Sequence, residues 1–289
     1  MSQRAKAELL LVTVTMVWGC TFVVVKEALS LASPLPFLAV RFTLAGLLLA
    51  LVLSRGRMDL PVLGAGVIVG LFLFAGYAFQ TWGLVYTTPS KSAFITGFGV
   101  VLVPFLQLLY GFHLRAATVL GALLGFGGIY FLVLPSGLDS VNRGDVLTLF
   151  GAMSFAVHIV LVGDYTRRHS FRHLVPVQVL TAGLLATLAL PFDRELRMEW
   201  TPGLVAAVLV TALLATGFAF SVQNWAQQFT PPAHTALIFA LEPVFAALTS
   251  RLVLGEQLGG KVLLGSALIL GGMVVSELWG GTAPAPVEG

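Results

Sequence analysis

A carboxylate inside an apolar stretch is the first residue that needs a chemical reason. Glu242 lies near the middle of the run 232–254, where a charged side chain costs about 2.5–3.5 kcal/mol on insertion scales. Two readings account for it. It faces a cavity and binds a substrate amine or a proton, or it is a structural carboxylate bonded to a neighbouring helix beside Pro243. Arg41 has the geometry to grip a substrate carboxylate bidentately, yet it also sits within snorkelling reach of a membrane surface, as Lys26 does. Lys91 follows Pro89 and reads equally as an interfacial anchor. His158 falls mid-run, where an imidazole is either a proton relay or a satisfied hydrogen-bond partner. The amides of Gln80, Gln223 and Asn224 either bind substrate or hold helices together at about 0.6 kcal/mol each. Trp18, Tyr77, Trp82, Phe94, Phe98 and Trp225 are candidates for an aromatic lining able to hold an amine by cation–π contact, although any one of them taken alone fits lipid contact or packing.

Other chemistry is not spelled out. His169 and His173 have i, i+4 spacing but no acidic or cysteine partner, so they read as a solvated basic loop and no metal is expected. Gly255-Glu-Gln-Leu-Gly-Gly260-Lys261 approaches a phosphate-cradling loop, but Val262 stands where Ser or Thr would hold magnesium. No cofactor is expected. No zinc-binding His-Glu-x-x-His pair occurs, and no Gly-x-Ser has a credible histidine partner. The chain reads as a non-enzyme.

The elements that must position these residues follow from composition. Of 289 residues, 57% are hydrophobic and 10% charged, with a mean hydropathy of +0.95. A soluble domain carries roughly a quarter charged residues, so this chain cannot coat a water-facing surface. A net charge of +3 with no solid basic run excludes a nucleic-acid patch. Cys20, the single cysteine, forms no internal disulfide. Trp18 replaces the small residue that a lipoprotein cleavage site wants before Gly19-Cys20, and the apolar run continues to Val25, so this segment reads as a first span. Apolar runs bounded by turn signals predict an all-α membrane protein of ten transmembrane helices. The spans are 8–29, 36–54, 61–86, 90–111, 116–134, 144–164, 173–191, 202–228, 232–254 and 260–279. Membrane strands are not expected, since the runs are too long and do not alternate. Residues 280–289 read as a loose tail.

The sequence repeats itself. Arg41-Phe-Thr-Leu-Ala-Gly-Leu-Leu aligns with Gln178-Val-Leu-Thr-Ala-Gly-Leu-Leu, Gln80-x-Trp82 with Gln223-x-Trp225, and Thr87-x-Pro89 with Thr230-x-Pro232. Gly121, Gly127 and Gly128 match Gly265, Gly271 and Gly272. Five helices per copy is odd, so the second copy enters from the opposite side, giving two inverted five-helix repeats over 1–138 and 139–281, with 282–289 as a flexible tail. With the N-terminus inside, cytoplasmic loops carry Arg4, Lys6, Arg55, Arg57, Arg115, Arg167, Arg168 and Arg172, external loops carry Arg143, Arg194, Arg197 and Lys261, and Lys26, Lys91 and Arg251 lie near outer helix ends. Both termini are therefore expected in the cytoplasm. The Gly66-x-x-x-Gly70 and Gly121-x-x-x-Gly125 pairs predict close helix packing.

The stretch Leu241-Glu-Pro-Val-Phe-Ala-Ala-Leu-Thr-Ser-Arg-Leu-Val-Leu-Gly-Glu256, followed by Leu264-Gly-Ser-Ala-Leu-Ile-Leu-Gly-Gly272, resembles the end of EamA-type proteins of the drug/metabolite transporter superfamily. Trp18-Gly19 with Phe22 and Lys26, Arg41-Phe42, and Ala93-Phe94 with Pro104 resemble earlier parts of that family. Gly111-Phe112-His113 departs from it where many members carry a Gly-Glu pair. The resemblance implies a ten-helix secondary carrier in the bacterial inner membrane, run by gradients, exporting amino acids or related metabolites and amphiphilic compounds by alternating access. Its implied partners are a small-molecule substrate, the lipid bilayer and protons as coupling ion. By family analogy spans one, three, four, six, eight and nine wall the cavity, leaving spans five and ten peripheral and available for a homodimer contact. The expected substrate-binding set is Trp18, Arg41, Tyr77, Gln80, Phe94, Phe98, His158, Gln223, Asn224 and Glu242. Capping or a short ion pair explains Glu256 better than substrate contact. A membrane-embedded enzyme, a non-transporting sensor or assembly subunit and a passive channel remain the rival classes.

Overall fold

The computed structural model describes residues 2–54, 58, 60–110, 112–133, 142–193, 196–275, 278–279 and 282–284. Loop residues Arg55, Arg57 and Arg194, the junction 134–141 and tail residues 285–289 lie outside the described residues. Among the described residues, seven helical stretches are long and apolar enough to cross a membrane, by length and composition, and shorter apolar helices accompany them.

The chain runs through α1 (Gln3–Ala28), α2 (Pro34–Leu53), α3 (Leu60–Tyr86), α4 (Pro89–Gly97), α5 (Gly99–Gln107), β1 (Phe112–Leu114) and α6 (Ala116–Val133). It continues through α7 (Arg143–Arg168), α8 (Phe171–Ala189), α9 (Pro202–Ala212), α10 (Ala219–Ala226), α11 (Pro232–Phe239), α12 (Glu242–Leu254), α13 (Gly260–Val275) and β2 (Thr282–Pro284). Local chemistry sets several ends. Ser2 caps α1 by accepting from the Ala5 amide, so this helix starts five residues before the apolar run does. Asn142 and Asp145 form a reciprocal capping box on α7. Gly255, at φ 65°, closes α12 in the left-handed conformation that glycine adopts at little cost.

Three predicted runs are interrupted. The run 90–111 is split at Phe98 into α4 and α5. The run 202–228 holds a π-helical segment, Leu213–Phe218, between α9 and α10. The run 232–254 breaks at Ala240–Leu241, so Glu242 opens a new helix instead of lying within one. A short antiparallel ladder also departs from expectation. Phe112, His113 and Leu114 pair with Pro284, Ala283 and Thr282.

Helix α3 packs along α7 and α8, α2 along α8, and α1 along α12 with α9 and α10 beside it, while α4 and α5 lie on α7. The pair α6–α13 is bound mainly to itself, and its glycines explain why. A Cβ on Gly272 would stand 2.5 Å from the Gly121 carbonyl oxygen, and one on Gly128 would stand 2.6 Å from that of Gly265. Backbones this close need glycine on both helices. Gly66 and Gly70 serve the same purpose where α3 meets α8. Two large apolar clusters and a small third one of Val62, Ala65 and Leu174 form the interior among the described residues, and Trp18 packs against both large ones.

Polar side chains tie one end of the bundle. Lys91 Nζ meets Asp145 at 2.6 Å, and Asp145 also accepts from Thr87 Oγ1 at 2.9 Å. Glu256 accepts from the Ser90 hydroxyl at 2.8 Å and from that of Ser250, which joins the start of α4 to the end of α12. Lys26 does not snorkel outward. Its ammonium donates to the carbonyls of Leu84, Val85 and Thr87, at 2.8, 3.2 and 3.0 Å, and so caps the end of α3.

Candidate functional site

Residues beside two of the helix interruptions, Gly97, Gly99, Phe239 and Glu242, line one cavity. It encloses about 850 Å³ of space between atoms, including its open part, and residues from α1 to α5, α7 and α10 to α12 line it. Of the expected site residues, Trp18, Arg41, Tyr77, Gln80, His158, Gln223 and Glu242 line this space. The expected walls lacked α2, which contributes Arg41.

The π-helical segment between α9 and α10 explains two of these placements. A π turn shifts the backbone ladder and frees groups for other partners. The Ala215 carbonyl accepts from Trp18 Nε1 at 2.8 Å, holding the indole across the cavity. Thr216 donates its hydroxyl hydrogen to the Thr211 carbonyl at 2.9 Å, which leaves its oxygen to accept from Arg41 Nε at 2.9 Å. Arg41 is 2% exposed, and its guanidinium stands 4.6 Å from the Tyr77 ring centroid and 5.2 Å from that of Phe42. Such stacking suits the weakly hydrated guanidinium group. No carboxylate pairs with it among the described residues.

Glu242 occupies the first turn of α12, where the positive end of the helix dipole favours a carboxylate. Among the described residues, neither a hydrogen bond nor an ion pair reaches its carboxyl group. Gly19 lets α1 approach closely here, since a Cβ on it would meet the Glu242 carbonyl oxygen at 2.7 Å. Gln80 donates to Thr96 Oγ1 at 3.0 Å, and both residues face the cavity. Aromatic rings supply much of the wall. Trp18 contacts Phe220 and Phe239 at centroid distances of 5.4 and 5.0 Å, and Tyr77 contacts Phe155 at 5.1 Å. His158 stands 5.7 Å from Phe220.

Three expected residues lie outside the cavity lining, each for a physical reason. Phe98, 1% exposed, packs edge-on against Phe126 of α6 at 4.9 Å. Phe94, 4% exposed, belongs to the second apolar cluster. Asn224 is used behind the wall, where it donates to the Phe220 carbonyl at 2.9 Å and accepts from Gln178 Nε2 at 3.0 Å. The other two candidate aromatics, Trp82 and Trp225, pack against the apolar clusters, and Trp225 also meets Phe229 edge-on at 5.2 Å.

Sequence reasoning missed Phe155, Phe220, Phe239 and Thr96 on the wall, and Gln178 and Gln227 behind it. One signal was present. Phe155 follows Trp18 by the same 137 residues that separate Arg41 from Gln178, and both aromatic residues line the cavity. His169 caps α7 through its amide and lies 6.1 Å from the Tyr165 ring, away from this site.

Comparison with known proteins agrees along the whole chain. A model of the EamA-like transporter family matches residues 5–134 and again residues 142–277. An uncharacterized transporter of Archaeoglobus fulgidus is 36% identical over 277 residues, covering 96% of this chain and 87% of its own length. The uncharacterized transporter YoaV of Bacillus subtilis is 25% identical over 290 residues, covering 94% and 96%. A solved structure superposes with a TM-score of 0.70 at 22% identity, covering 95% of this chain and 99% of its own, a likeness of fold.

Proposed function

Since the chain belongs to the EamA-like transporter family, an integral membrane family of transporters, we propose that it is a secondary carrier of small organic solutes, exporting amino acids or related metabolites by alternating access. The observation that carries this reading is the cavity itself. It lies between helices of both halves of the chain and holds an unpaired carboxyl group at Glu242 and a guanidinium at Arg41 between aromatic walls. A buried charge without a protein partner is costly, and an ammonium or carboxylate on a solute offsets that cost.

The reading includes two inverted five-helix repeats, 1–138 and 139–281. The double match of the family model supports it. So does the packing scheme, in which exchanging the first five spans for the last five preserves the main helix contacts. Span three on span six becomes span eight on span one, span four on span six becomes span nine on span one, and spans two with seven and five with ten pair with their own counterparts. Two copies related in this way can exchange packings, which opens the cavity first to one side and then to the other. The excess of Lys and Arg in alternate loops supports cytoplasmic termini, and the membrane of this reading is a bacterial inner membrane. Glu242 is the group through which protons would couple.

The test is solute flux. Protein reconstituted in proteoliposomes is screened with labelled amino acids and amphiphilic cations, with and without a proton gradient. Saturable uptake that shows counterflow supports the carrier. Flux without saturation or counterflow marks a channel, and absence of flux across the panel removes the proposal.

A further inference from the structure

Two chains of side-chain amides end on the cavity, and each is anchored at its far end on a backbone carbonyl. A carbonyl oxygen only accepts, so it fixes the direction of every bond that follows. In the first chain the Phe220 carbonyl takes the Asn224 amide hydrogen at 2.9 Å, and Asn224 Oδ1 then accepts from Gln178 Nε2 at 3.0 Å. Gln178 Oε1 consequently faces His158 Nε2, 2.9 Å away, and that nitrogen must carry the hydrogen. The neutral imidazole keeps Nδ1 as an acceptor, and no described group bonds to it. In the second chain the Ile159 carbonyl takes Gln227 Nε2 at 3.1 Å, and Gln227 Oε1 takes Gln223 Nε2 at 3.1 Å. Among the described residues Gln223 Oε1 is left without a partner, although the residue is 1% exposed and lines the cavity.

Both acceptors lie at one corner. Gln223 follows Phe220 by one helical turn, His158 packs on Phe220, and Phe239, three residues before Glu242, packs on Trp18, which itself contacts Phe220. Two donors of this corner are already spent, the Trp18 indole on the Ala215 carbonyl and the Thr21 hydroxyl on the Trp18 carbonyl. We propose that this corner is a subsite for a primary ammonium head group, bonded by Gln223 Oε1, His158 Nδ1 and the Glu242 carboxylate and boxed by the rings of Trp18, Phe220 and Phe239. The proposal rests on the reading of the cavity as a solute site and adds a selectivity. An aromatic box with a carboxylate accepts quaternary ammonium as readily as primary. The acceptors that the two amide chains hold in place favour a head group with N–H bonds, because an unmatched buried acceptor is penalised. Gln178, Asn224 and Gln227 are positioning residues here.

An N-methylation series tests this. Purified protein is titrated with 2-phenylethylamine, its N,N,N-trimethyl derivative and 3-phenylpropionate, following tryptophan fluorescence, and the same three solutes are run in proteoliposome counterflow. The parent protein binds the primary amine at least about tenfold more tightly than the trimethyl compound, the factor expected when charged hydrogen bonds go unmade. Gln223→Met and Gln178→Leu narrow that ratio severalfold by weakening the primary amine alone. Should either variant fail to fold, the ratio in the parent decides. Equal or tighter binding of the trimethyl compound overturns the proposal. Binding of the carboxylate with neither amine overturns it while leaving the carrier standing, and failure to bind or move any solute, these or the wider panel, removes both.

Discussion

Two ion-paired corners of the molecule occupy the same place in the sequence pattern and differ in burial. Lys91 stands two residues after Pro89 and His234 two after Pro232, while Glu8 and Asp145 are 137 residues apart, the spacing that also relates Arg41 to Gln178. Lys91 pairs with Asp145 at 2.6 Å, with side chains 18% and 1% exposed. His234 pairs with Glu8 at 3.2 Å, with side chains 38% and 31% exposed. Asp145 is further bonded by Thr87 Oγ1 and the Asn142 amide, and the adjoining Glu256 ties Ser90 to Ser250. Among the described residues, Glu8 has in addition only Arg4, one turn away on its own helix. One end of the bundle is bolted by dry, multiply bonded charges, and the other is held by a wet pair. On the proposed orientation the bolted end is the outer one, and the proposed exchange of packings would transfer burial from one corner to the other.

Breaking the bolted corner carries the largest expected effect. Asp145→Ala leaves Lys91 partly buried without its counter-charge and should cost about 3–5 kcal/mol of stability, read as a lower unfolding temperature in detergent. An unchanged temperature would show that the corner is no bolt. Glu256→Ala strips the acceptor from the Ser90 and Ser250 hydroxyls and should cost about 1–3 kcal/mol by the same readout. Glu8→Gln at the wet corner should move stability by about 1 kcal/mol or less. A loss at Glu8 as large as that at Asp145 would erase the contrast between the two ends.

What could be read from the sequence divides along physical lines. Glu242 and Arg41 announce themselves because charges in apolar helices are expensive wherever they sit. The glycines of α6 and α13 are equally plain, since their repeat spacing survives as reciprocal backbone contact. The amide chains were not visible, because their anchors, the Ile159 and Phe220 carbonyls, are backbone groups whose availability depends on how the helices pack. Asn224 and Gln223 are neighbours in sequence, yet one serves behind the wall and the other on it, a difference of side-chain direction along α10. Phe94 and Phe98 look no different in sequence from Phe155 and Phe220. Apolar rings suit a cavity, a core or lipid alike, and only packing decides among these. The π segment at Leu213–Phe218 left no local mark beyond Thr216-Gly217, although it frees the groups that hold Trp18 and Arg41.

The central claim is that the unpaired Glu242 acts on solute inside this cavity. Counterflow of a transported labelled solute, measured in proteoliposomes holding equal amounts of parent and Glu242→Gln protein, tests it most directly. The account predicts that the variant keeps the parent's unfolding temperature within a few degrees and loses most of its flux. Equal flux at equal reconstitution would contradict it.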